Sequence, residues 1–163
     1  MREKVEKVII KNIPNISIRV IDKNDDKYLT RNKKKYPFIL ENDVNFLVKT
    51  SRREFEFQIF EGFVWNGADI PKIFFFIGQS KDNNYLVASM VHDYLIEYKH
   101  FIRKHILKEQ VSMKEYRRLT SLIFREILKD HKTNVVKANI MGFAVDFFQM
   151  TFCAKNWRCK KCK

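Results

Sequence analysis

Glu54-Phe55-Glu56-Phe57-Gln58-Ile59 alternates polar and large apolar residues without a break. A period of two is the period of a β-strand, so Phe55, Phe57 and Ile59 share one face and Glu54, Glu56 and Gln58 the other. One face suits a core and the other suits water, which is how a strand of an antiparallel sheet reads. Upstream, Ser17-Ile18-Arg19-Val20-Ile21 alternates in the same way, and Val44 to Val48 is apolar apart from Asn45. Polar connectors, Asp22 to Asp26 and Arg31 to Lys35, separate these runs. Downstream the period changes. Tyr85, Ala88, Val91, His92 and Leu95 fall at helical spacing after Asn83 or Asn84, either of which suits a helix N-cap, and this helix is expected to reach about Tyr98. Ser112-Met-Lys-Glu115 is a capping box, and the helix it opens carries Tyr116, Leu119, Ile123 and Ile127 along one face. Arg117, Ser121, Phe124 and Leu128 lie on the neighbouring face. A last helix is expected from about Asn134, with Gly142 inside it as a place for close helix contact. Strands followed by helices predict an α+β fold, with about four to six N-terminal antiparallel strands packed against three C-terminal helices.

A chain of 163 residues suits a single domain, here taken as 1–152 with a basic Cys-containing tail at 153–163. Hydrophobic residues make up 45%, enough to bury a core and to exclude wholesale disorder. Fifteen Phe residues are a heavy aromatic load, so some rings are expected in a groove or interface. Lys and Arg outnumber Asp and Glu by 32 to 19, a formal net charge of +13. That excess favours an anionic partner: nucleic acid, a phospholipid surface or an acidic protein. Coding bias towards Lys in an AT-rich genome accounts for the same excess without any binding role. Lys33, Lys34, Lys35, Lys160 and Lys161 are the candidate anion contacts, and solvated loops are the plain alternative. The charged start Met1-Arg2-Glu3-Lys4 does not read as a signal peptide, and no apolar run reaches membrane-spanning length, since Asp146 and Gln149 interrupt the one at Phe143 to Phe152. The expected location is the cytoplasm, with virion association the alternative. Cys153, Cys159 and Cys162 do not make a disulfide framework. Cys159-Lys-Lys-Cys162 is half of a zinc knuckle, and free thiols in a basic tail are the alternative reading.

The residues most suggestive of chemistry are His92 and Asp93, late in an apolar helix, and the turn Asn66-Gly67-Ala68-Asp69-Ile70-Pro71-Lys72. Imidazole and carboxylate are costly to desolvate unless paired or bound to something. Sequence neighbours on a helix diverge by about 100°, so His92 and Asp93 are expected to serve different jobs rather than form a tight dyad. His92 suits a general base or metal ligand. Asp93 suits a cation, or the backbone N–H groups of the Gly67 turn. In the structural alternative, Asp93 locks that turn to the helix and His92 is a satisfied core histidine.

Gly62-Phe63, the Gly67-Ala68-x-Ile70-Pro71 turn and His92-Asp93-Tyr94-Leu95, followed by Arg117 and Phe124, together resemble a family common in phages and prophages, catalogued as domain of unknown function 1353. The resemblance runs from about Glu61 to Phe147. Asn66 stands where the family has Asp, Asp69 where it has Ser, Ile96 where it has a second Tyr, and Ser121 where it has Asp. A more distant likeness is to secretory phospholipases. It implies His92 as the base, Asp93 as a calcium ligand, the Gly67 region as the calcium loop and Ser121 at the position that orients the histidine.

From these residues a phage- or prophage-type accessory protein is expected, acting as a metal-assisted hydrolase. His92 and Asp69 are its candidate catalytic residues, and Asp93 and Asn66 its metal ligands. Gly67, Ala68, Pro71 and Tyr94 build the binding loop, and Ser121 and Arg117 hold the orienting position. The cofactor expected is a divalent cation, calcium ahead of zinc because the ligands are oxygens. The alternatives are a non-enzymatic binding or assembly protein, with His92-Asp93 as a structural lock, and a basic nucleic-acid-binding module.

Overall fold

The structure, a computed structural model, describes residues 4–11, 16–21, 38–65, 83–108, 110–130 and 134–151. Among the described residues six strands come first: β1 (Val5–Ile10), β2 (Ile18–Val20), β3 (Phe38–Leu40), β4 (Val44–Thr50), β5 (Glu54–Ile59) and β6 (Val64–Trp65). The helices follow: α1 (Asn83–Glu97), the short α2 (Lys99–Phe101) running into a π-helical turn at Ile102–Ile106, α3 (Met113–Asp130) and α4 (Val135–Thr151). All strand pairs are antiparallel, in two sheets ordered β1-β4-β5 and β2-β3-β6. The fold is α+β, as expected.

The alternation that defines β5 sets the register of the first sheet. Val44 faces Ile59, Phe46 faces Phe57 and Val48 faces Phe55. All six are buried. The Phe46 and Phe57 rings stack at 5.2 Å. On the wet face, Glu54 pairs with Lys49 at 2.9 Å and Glu56 with Lys11. β1 completes the sheet with Val8 opposite Val48, and a bulge shifts its register between Val5 and Lys7. β3 and β6, at three and two residues, are too short to show a period in sequence.

Gly62 joins the two sheets. It sits at φ +84°, a conformation that costs a residue with a Cβ, and the turn it makes carries the chain from β5 back to β3. The Gly62 N–H donates to the Leu40 carbonyl (2.8 Å), and the Leu40 N–H donates to the Phe63 carbonyl (2.9 Å). Asp43 braces the same corner, accepting from the Gln58 amide and from the Glu61 N–H, both at 2.8 Å.

α3 is the spine of the helical layer, packed between α1 and α4 and also against β1. The stripe Tyr116, Leu119, Ile123 and Ile127 is buried, and beside it Ser121, Phe124 and Leu128 are buried while Arg117 is half-buried. Its capping box forms as read, with the Ser112 N–H donating to Glu115 (3.0 Å) and the Glu115 N–H to the Ser112 hydroxyl (3.3 Å). Asn134 caps α4 by accepting from the Val136 N–H at 2.9 Å. At Gly142 α4 lies close against α3, where a Cβ would stand 3.0 Å from Cβ of Arg125. Trp65, Tyr116, Phe46, Phe124 and Met90 are among the side chains that fill the core.

Candidate functional site

α1 turns consecutive residues by about 100°, and this assigns three different surroundings to His92, Asp93 and Tyr94. Tyr94 faces the sheets. It stacks on Phe57 at 6.1 Å and meets Phe63 edge-on at 5.3 Å. Burial pushes its hydroxyl pKa up, and the neighbouring Tyr98 pushes it the same way. His92 points away from the sheets, towards the other helices. Phe124 of α3 meets its ring at 5.7 Å, close to edge-on. Asp93 lies between these directions and is partly exposed.

Both ring nitrogens of His92 have protein groups against them. Nδ1 stands 3.6 Å from Oδ1 of Asp93, within ion-pair reach and too long for a hydrogen bond. The two neighbours therefore approach more closely than helical divergence suggested, while still forming no tight dyad. Nε2 meets the side-chain amide of Gln149 on α4. An Nε2 that carries no proton accepts there from the Gln149 amide N–H. The other amide orientation would put a carbonyl there and require the opposite tautomer. Oε1 of Gln149 is buried with no hydrogen-bond partner among the described residues.

One turn before Gln149, Asp146 faces Arg117 of α3 at 3.6 Å. Arg117 thus lies against α4. Ser121 turns its hydroxyl onto the Arg117 carbonyl of its own helix at 3.4 Å. Among the described residues the polar groups against the imidazole are Asp93 and Gln149. Sequence reasoning missed Gln149 and Asp146 as partners of the site. Their signal was present: two polar residues three apart, interrupting the apolar run that begins at Ile140.

The turn from Asn66 to Lys72, with Gly67, Ala68, Asp69 and Pro71, lies outside the described residues, as do Lys33–Lys35, Lys160, Lys161 and the three cysteines. The residue just before that turn is described. Trp65 is fully buried and donates from its indole N–H to the Ser89 hydroxyl of α1 at 3.2 Å. Ser89 passes the bond on to the Leu86 carbonyl at 2.9 Å. Ser89 is one turn before Asp93, so β6 ends against the stretch of α1 that leads to the His-Asp pair. Among the described residues no three His, Cys, Asp or Glu side chains gather as a metal set.

A single arrangement therefore links the Gly62 corner, Phe63, Trp65, Tyr94, His92 and Arg117. A family model matches residues 40–145, a span that contains all of them. The chain belongs to the family described as Protein of unknown function (DUF1353). The described part of that span runs from the end of β3 to the middle of α4, so both sheets and all the helices contribute to the DUF1353 region. No curated protein and no solved structure matches the chain.

Proposed function

We propose that this DUF1353 protein is a non-enzymatic binding or assembly protein, of the phage or prophage accessory kind, in which His92 is an interhelical lock. One observation carries the reading: Asp93 and Gln149 stand against both imidazole nitrogens. A general base needs one ring nitrogen directed at substrate. Here Nε2 is spent on α4, and the contact joins the first long helix to the last. Such a protein acts through surfaces that a rigid scaffold presents, and its net charge of +13 suits an anionic partner in the cytoplasm or a virion.

The test is a double-mutant cycle of His92→Ala and Gln149→Ala, read by thermal or urea unfolding. Each single change should cost roughly 1–3 kcal/mol, the range for leaving a buried polar group without its partner. The double mutant should cost clearly less than the two together. Strictly additive losses would remove the lock.

A second reading keeps the metal-assisted hydrolase, with His92 as base, Asp69 assisting, and Asp93 and Asn66 holding a divalent cation, calcium ahead of zinc. The indole bond from Trp65 to Ser89 favours it, because it brings the chain to α1 just before the Asn66 turn. Calorimetric titration with calcium and with zinc separates the two readings. Binding that Asp93→Asn abolishes supports the hydrolase, and no heat from either ion supports the lock.

A further inference from the structure

α4 is apolar on two opposite sides. One side carries Ala138, Met141 and Gly142, all buried, with Gly142 against Arg125 of α3. The other carries Val136, Ile140, Phe143, Phe147 and Met150, all exposed, with Phe143 at 69% and Val136 at 65%. Their spacing is four, three, four, three. At about 100° per residue these five side chains fall within an arc of about 80°. This is the seam of a coiled coil, the pattern made by residues that insert between those of a facing helix. Phe143 and Phe147 are stacked at 6.2 Å, which gives the seam a flat aromatic centre.

We infer that this seam is a homotypic interface, at which α4 of one chain packs on α4 of a second copy. The inference does not depend on how His92 is read. Three features identify the occupant. The 3.5-residue period specifies a helix rather than a strand or an extended peptide. The seam itself is uncharged, so two copies of a strongly basic chain meet there without placing like charges in contact. The five exposed seam side chains offer about 500 Å² of surface per copy, or roughly 1,000 Å² in a symmetric pair, the size a specific interface has to clear. A lipid surface fits less well. Helices that lie in a membrane interface set a basic polar face against their apolar one. Across its 17 residues α4 has the single cation Lys137 and the single anion Asp146, and α3 occupies its other side.

The experiment is size-exclusion chromatography with light scattering on the full chain, from about 1 to 100 µM. Wild-type protein should approach twice the chain mass of 19.7 kDa as concentration rises. Phe143→Glu should hold it at 19.7 kDa with an unchanged circular dichroism spectrum. Arg118→Glu, an exposed change of charge on α3, should leave the dimer intact. If Phe143→Glu disturbs the fold, Val136→Lys at the far end of the seam reads the same interface. A wild-type monomer at every concentration overturns the inference, as does a dimer that survives folded seam variants. Sedimentation of the wild type with anionic vesicles, without self-association, would assign the face to lipid instead and overturns it equally.

Discussion

Tyr116 is fully buried, yet its hydroxyl has somewhere to go: it donates to the Leu95 carbonyl of α1 at 2.7 Å. Removing the oxygen in Tyr116→Phe leaves that carbonyl without this donor, and the expected cost is about 1–2 kcal/mol in urea unfolding. The same burial raises the Tyr116 pKa above the ordinary 10.0, with Tyr94 nearby pushing the same way. A phenol whose folded pKa is raised contributes stability that is complete below the unfolded value. That contribution is lost as pH rises beyond it. Melting temperature should therefore fall above about pH 10, and the fall should be shallower in Tyr116→Phe, which has no proton to lose. A slope identical in the two proteins would place the alkaline sensitivity elsewhere.

At the scale of the element, the two ends of the helical layer are held by different chemistry. α3 begins with the reciprocal Ser112–Glu115 cap, and those hydrogen bonds lower the Glu115 pKa below its ordinary 4.5. A carboxylate with a depressed folded pKa contributes stability that is present above the unfolded value and lost as pH falls through the folded one. The melting-temperature difference between wild type and Glu115→Ala should thus be open at neutral pH and close in acid below 4.5. A difference that persists at low pH would mean the side chain acts through packing. α4 is held by proximity. Gly142→Val would drive new atoms into the base of Arg125, where a Cβ alone already meets it at 3.0 Å. Overpacking of this kind costs roughly 1–3 kcal/mol, against only about 0.4 kcal/mol of helix propensity recovered when β-branched Val replaces glycine. Net destabilisation in a chemical melt is expected, and stabilisation would show that the helices separate freely.

At the scale of the whole molecule, the His92–Gln149 contact ties α4 back to α1, two helices whose main packing partner is α3 between them. Native-state hydrogen exchange should register the tie. In His92→Ala, the α4 amides should exchange faster while those of β4, at the centre of its sheet, keep their protection. Uniform acceleration across the chain would mean that the contact supports the global fold rather than one helix. Much of this architecture was legible from residue order, because it rests on local periods. The alternation of Glu54–Ile59, the apolar run from Val44, the Ser112–Glu115 box and the spacing of Tyr116, Leu119, Ile123 and Ile127 each name their element by neighbours a few residues apart. The motifs Gly62-Phe63 and His92-Asp93-Tyr94-Leu95 likewise pointed to the family before any coordinates. What lay beyond local order was the pairing. β3 and β6 are too short to carry a period, and β6 meets β3 because the turn at Gly62 brings the chain back onto Leu40. Gln149 reads in sequence as a polar interruption of an apolar run. It becomes the partner of a histidine 57 residues away because α3 sets α4 at that distance and rotation. Hydrophobic period marked the apolar faces, although α4 leaves one of its two exposed. The identity of the group opposite each face depended on how three helices stack, and long-range packing alone decides that.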